Sequence, residues 1–211
     1  MLTYFLLTFT SIFTLVNPLG VIPVFLGYVE GARNRDKAKI AGIASITTLI
    51  CLIIFAFSGR AIFEFFNISV HGLRVVGGIL FFRNGYDMLQ AKVTWAKKHS
   101  QEDAVAMGKA AAVTPLGIPM IAGPGSIAAT IIHMNESPDA LHSAVIVGVL
   151  FLVSLFTFVI LVSSDRIMRF MGESGTKVFT RLMGLILMMI AVEFFFSGIT
   201  HYIQRIASSL N

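Results

Sequence analysis

The residues with the clearest chemical purpose are two short runs, Asn17-Pro18-Leu19-Gly20 and Thr114-Pro115-Leu116-Gly117, which share three of four residues. Each stands inside an apolar segment and is followed by further helix breakers, Pro23 after the first and Pro119, Gly123, Pro124 and Gly125 after the second. Five of the six prolines therefore fall in two segments. A proline inside a helix removes a backbone donor and clashes with the preceding turn, and hydrocarbon offers no water to the freed carbonyls. Such breaks survive in a membrane only where protein or a wet cavity replaces the lost partners. They also create chemistry. A helix that restarts after a break offers N–H groups to a carboxylate, while unwound carbonyls suit an ammonium group or a cation. Asn17 and Thr114 hold matching places, and each can donate and accept hydrogen bonds, as binding a zwitterion requires. Gly123-Pro124-Gly125-Ser126 reads as an unwound link, with Ser126 as the N-cap of a half-helix. The predicted substrate wall is thus Asn17, Pro18, Gly20, Thr114, Pro115, Gly117, Gly123, Pro124, Gly125 and Ser126. The competing reading makes the same glycines and prolines packing devices, because small residues let membrane helices approach closely.

Two carboxylates are candidates for coupling transport to protons. Glu193 stands in the middle of the last apolar segment with no basic residue within a turn. A charge at that depth costs about 2.5–3.5 kcal/mol on insertion scales, so a use for it is expected. The plainer alternative is a single hydrogen bond to a neighbouring helix. Asp87 is the second candidate. It lies four residues after Arg83 on one helix face, where a structural ion pair with snorkelling is the expected arrangement.

The elements that must position these residues follow from composition. Of 211 residues, 56% are hydrophobic and 13% charged, against roughly 25% charged in soluble domains. Apolar runs cover residues 3–28, 40–57, 73–89, 110–134, 144–163 and 181–203, each matched to a hydrocarbon core of about 30 Å. Arg74-Val75-Val76-Gly77-Gly78-Ile79-Leu80 aligns with Arg181-Leu182-Met183-Gly184-Leu185-Ile186-Leu187, so the third and sixth runs are counterparts. Three spans per copy send the second copy into the membrane from the opposite side. The predicted fold is therefore an all-α membrane protein of six transmembrane helices in two inverted three-helix repeats, its first and fourth helices broken at the Pro/Gly motifs. Repeat 1 covers residues 1–90, a hydrophilic cytoplasmic linker 91–110, and repeat 2 residues 111–211. Paired breaks in matching positions of two such halves mark a substrate site near the bilayer midplane.

Thirteen of the sixteen basic residues fall on one set of loops and span ends, leaving Arg60, Arg74 and Arg205 on the other. That bias places both termini outside the cytoplasm. It also assigns the net charge of +5 to the lipid bilayer as partner rather than to nucleic acid. No positive region precedes the first run, so it reads as a retained span and not a signal peptide. Enzyme readings fail on motifs, since His-Glu-x-x-His, Gly-x-Ser-x-Gly and phosphate-loop patterns are all missing. The five histidines have no metal-ligand spacing. Ser126 and His133 are separated by about 10 Å of helix, too far for a nucleophile and its base. No catalytic residue, metal or cofactor is expected. Transport would be secondary or facilitative, a small molecule is the expected partner, and homo-oligomerisation is left open.

Asn17-Pro18-Leu19-Gly20 with Ile22-Pro23-Val24-Phe25, Pro115-Leu116-Gly117-Ile118-Pro119 with Ala122-Gly123-Pro124-Gly125, and Arg181-Leu182-Met183-Gly184 with Glu193-Phe194 resemble the MarC family. The resemblance covers nearly the whole chain. It implies a six-span inner-membrane protein grouped with the LysE-type amino-acid exporters, some relatives being described as transporters of small neutral amino acids. The function implied is a secondary transporter or exporter of small solutes in a bacterial or archaeal cell membrane. A channel or a non-transporting membrane scaffold is the alternative.

Overall fold

The computed structural model describes residues 1–67, 69–90 and 101–209. Every regular element among them is helical. Helix α1 (Leu2–Val16) and α2 (Pro18–Tyr28) are followed by α3 (Asn34–Phe65) and α4 (Val70–Leu89). After the undescribed segment come α5 (Gln101–Ala111), an irregular coil at Ala112–Ile121, α6 (Pro124–Asn135), α7 (Ala140–Val162) and α8 (Ser164–Ser209).

Among the described residues, four stretches are long and apolar enough to cross a membrane: Leu2–Tyr28, Asn34–Phe65, Ala140–Val162 and Lys177–Ser208. A fifth is formed if Val105–Ile121 and Pro124–Asn135, bent by 61° at their junction, make one span. The segment expected as a third span forms α4. It carries Arg74, Arg83 and Asp87 within its length and falls outside that set. Part of the linker expected at 91–110 is helix instead. Gln101–Ala111 is rich in alanine, whose propensity outweighs the polar residues that suggested a loop. Lys92, Lys97 and Lys98 of that linker lie outside the described residues.

The packing follows membrane rules. Along α3 the buried positions are mostly small, Ala41, Ala44, Ser45, Thr48, Cys51, Ala56 and Gly59, while Ile46, Ile50, Ile54 and Phe57 point outward. Apolar on both faces, such a helix suits a lipid surround, and its small inner residues let neighbours come close. At about 1.5 Å per residue, its 32 residues exceed the hydrocarbon thickness, so its ends, bearing Lys37 and Arg60, reach the interfaces.

Contacts between the halves are reciprocal. Helix α3 packs on the irregular coil and α6, while α7 packs on α1 and α2. Helix α4 packs on α6, and α8 on α2. Two pairs, α3 with α7 and α4 with α8, join the halves directly. The core between them includes Ile12, Val16, Phe25, Leu52, Leu116, Ile121 and Leu150. Within α8, Gly172 adopts φ 68° and ψ 177°, which divides the helix into arms at 164–171 and 173–209.

Candidate functional site

The first break centres on Asn17. Its backbone is left-handed (φ 45°, ψ 58°), and its N–H donates to Phe13 O at 3.0 Å, closing α1. Its side-chain oxygen accepts the N–H of Gly20 at 3.3 Å, capping α2, and Pro18 takes the first position of that helix. The local sequence requires this. The proline pushes the preceding residue out of the right-handed helical region, and asparagine is one of the few non-glycine residues that tolerates the left-handed one. Gly20 is equally constrained, because a β-carbon there would collide with the Asn17 carboxamide.

The second break is longer. Thr114 (φ −138°, ψ 122°) and Ile118 (φ −134°, ψ 124°) are extended, each preceding a cis proline, Pro115 and Pro119. The Gly117 carbonyl accepts the N–H of Ala122 at 2.8 Å and the Thr48 hydroxyl of α3 at 3.4 Å. Gly123 then caps α6 in extended conformation, and Pro124 occupies its first position. The expectation that Ser126 serves as N-cap is corrected here. Helix α6 starts at Pro124, whose fixed φ suits the first helical position, so the cap moves back to Gly123. The hydroxyl of Ser126, fully buried, turns instead to the carbonyl of Gly123 (3.0 Å), which also accepts the Ile127 N–H at 2.9 Å, and to that of Ile121 (3.3 Å). No side chain caps α6, so the amides of its buried first turn, Gly125 and Ser126, face the break without that competitor.

The two breaks meet. A β-carbon on Gly125 would strike the Phe194 ring and lie 3.5 Å from Leu15 Cδ2, one on Gly123 would lie 2.8 Å from Phe81 Cζ, and one on Gly77 would lie 2.6 Å from Pro124 Cβ. The start of α6 is therefore pressed between the end of α1 and the α4–α8 pair. Phe81 and Phe194, 6.0 Å apart between ring centroids, contribute the rings on that side. Beside them lies a cavity of about 20 Å³, lined by Leu15, Val16, Asn17, Gly20, Val21, Phe81, Met120 and Leu187. That volume accommodates about one water.

Of the residues expected to form the wall, Asn17 and Gly20 line this cavity, and Pro18, Gly123, Pro124, Gly125 and Ser126 are buried around the two breaks. Gly117 is buried against Thr47 of α3. Thr114 is exposed and Pro115 half-buried; neither lines the cavity, so the matching of Asn17 with Thr114 in sequence does not place them on one wall. Met120 represents the second break there instead. Glu193 and Asp87 are exposed on the outer faces of α8 and α4. The ion pair expected between Arg83 and Asp87 does not occur among the described contacts, both side chains pointing outward from α4. Phe81, Met120 and Phe194 were not legible as site residues, being apolar residues on apolar segments. Leu187 carried a signal, since it ends the motif shared by the third and sixth runs.

Broken helices packed into a bundle with lipid-compatible outer faces define a multispanning helical membrane protein. The sequence profile of the MarC family of integral membrane proteins matches residues 2–203, and the chain belongs to that family. It is 36% identical over 196 residues to a UPF0056 membrane protein of Pyrococcus abyssi, covering 92% of this chain and 94% of the relative. It is 36% identical over 203 residues to the UPF0056 membrane protein YvbG of Bacillus subtilis, covering 94% and 95%. With YhcE of Escherichia coli it shares 33% identity over 194 residues, 90% and 89% of the two chains. No solved structure matches.

Proposed function

We propose that this protein is a secondary transporter or exporter of small solutes, with small neutral amino acids as the substrate class. The observation that carries the reading is the convergence of the two helix breaks on one small cavity beside the α4–α8 pair. The amides at the start of α6 are suited to a substrate carboxylate, helped by the positive end of the helix dipole. The Asn17 carboxamide, already accepting from Gly20, has N–H groups free for the same ligand or a lone pair for an ammonium group. A cavity holding about one water is far smaller than an amino acid, so loading requires the α4–α8 pair to shift against the breaks.

The same proposal takes the chain as two inverted three-helix repeats, α4 serving as the third span, in a bacterial or archaeal inner membrane with both termini outside the cytoplasm. What supports the inversion is the reciprocity of contacts, in which each half's second and third helices pack on the other half's broken one. Glu193, with Asp87 as second candidate, is the proposed coupling group.

Counterflow in liposomes tests the function. Vesicles loaded with unlabelled alanine or glycine should accelerate uptake of the labelled compound, with saturation. Uptake that ignores internal substrate would make the protein a channel, and no protein-dependent flux with any small neutral amino acid would leave a scaffold.

A further inference from the structure

Away from the breaks, where α3 begins and α7 passes into α8, lies a polar cleft of about 260 Å³. Its walls include Asn34 and Lys37 of α3, Val162 at the end of α7, and Asp165, Arg166 and Arg169 of α8. The charges are unequal. Asp165 is already engaged, accepting from Lys37 Nζ at 2.8 and 3.0 Å, in an ion pair that ties α3 to α8. Arg169 donates Nε to the Asp165 backbone oxygen at 3.2 Å, and among the described residues neither Arg169 nor Arg166 has a carboxylate partner. Two guanidinium groups one turn apart on α8 thus border a cleft in which Asp165, the one acid among its described lining residues, is neutralised.

We propose that this cleft binds a phosphate group, that of an anionic phospholipid headgroup. Guanidinium groups present planar pairs of N–H donors that match phosphate oxygens, and Asn34 adds a neutral donor. The Lys37–Asp165 pair fixes the floor, so the arginines do not collapse onto an acid when the ligand leaves. Position favours a lipid over a free phosphate. Val162 is the last residue of an apolar span and 44% exposed, so the cleft opens at the boundary where hydrocarbon gives way to headgroups. Basic residues at that level are attracted to anionic lipid. The site is independent of the transport reading, since its lining shares no residue with the breaks.

Native mass spectrometry of delipidated protein, titrated with phosphatidylglycerol or phosphatidylcholine, tests it. The parent protein should retain one phosphatidylglycerol at least fivefold more strongly than phosphatidylcholine, and the double variant Arg166→Gln, Arg169→Gln should lose that preference. Arg60→Gln, on an exposed arginine at the far end of α3, should keep it. Displacement of the lipid by millimolar inorganic phosphate would make free phosphate the occupant of the same site; persistence of the lipid assigns the headgroup. Equal retention of the two lipids by the parent, or an undiminished preference in the double variant, overturns the proposal.

Discussion

Gly85 of α4 and Gly184 of α8 lie face to face, so that a β-carbon built on either would sit 2.6 Å from the other's carbonyl oxygen. The obstacle in each case is backbone, which cannot turn aside as a side-chain end can. Gly78 and Gly198 extend the same seam, against Ala191 and Phe195 on one side and Val75 on the other. In lipid, where apolar side chains gain little by meeting one another, such close approach is what holds two helices together.

Gly85→Ala and Gly184→Ala should each lower stability by about 1–3 kcal/mol, the usual cost of overpacking. Gly148 of α7 is the internal contrast, since nothing lies within 4 Å of its would-be β-carbon. There alanine should stabilise by about 0.5–1 kcal/mol through helix propensity alone. Thermal unfolding in detergent gives both signs. A Gly85→Ala protein that melts with the parent would refute the tight seam.

Asn17→Gly separates the carboxamide's chemistry from its backbone duty. Glycine accepts the left-handed conformation freely and replaces an asparagine cap at a loss of a few tenths of a kcal/mol. The variant should therefore fold while its counterflow rate falls at least tenfold. Asn17→Leu should fold worse, carrying a left-handed penalty of roughly 1–2 kcal/mol. Thr114→Val, exposed and outside the cavity, should change exchange by a few-fold at most. Parental exchange in Asn17→Gly would reduce the carboxamide to a helix cap.

Glu193→Gln keeps the size and hydrogen-bonding reach of the side chain but cannot carry a proton. It should exchange substrate across liposomes at the parental rate and lose accumulation driven by a pH gradient. Accumulation equal to the parent's would make the carboxylate structural and move attention to Asp87, on the outer face of α4.

Asp139 caps α7, accepting the His142 N–H at 2.8 Å and lying 2.7 Å from its Nδ1. The backbone bond, then the side-chain one, holds its carboxyl below the usual carboxylate range. A depressed folded value means that the cap contributes fully above the unfolded value, about 3.9, and is lost as pH falls through the lower folded one. The gap in melting temperature between the parent and Asp139→Ala should be constant from pH 7 to about 5 and narrow below about 4. A gap that persists unchanged at pH 3 would rule out the charged cap as its source.

The breaks were legible because their causes are local. Asn17 before Pro18 can hardly continue a helix, and Pro115, Pro119 and Pro124 within ten residues leave the chain no regular path. The role of Ser126 was misread because two local signals compete, and the proline two residues earlier sets the helix start. The meeting of Leu15 with Gly125, or of Phe81 with Gly123, is a property of how helices cross, which no short stretch encodes. The exposure of Glu193 escaped for the same reason. Its place along the sixth run was readable, but the face it occupies depends on which side of α8 receives Gly78 and Gly85 of α4.

The charges of α4 bear on how the protein is made. A nascent helix with Arg74, Arg83 and Asp87 has little to gain from leaving the insertion machinery for lipid alone, and most of its glycine seam, Gly72, Gly78 and Gly85, closes on α8, which is synthesised after it. Helix α4 therefore gains its main packing partner only once α8 has been made. A chain cut short before α8 leaves the seam at Gly78 and Gly85 of α4 uncovered, a mark for membrane quality control.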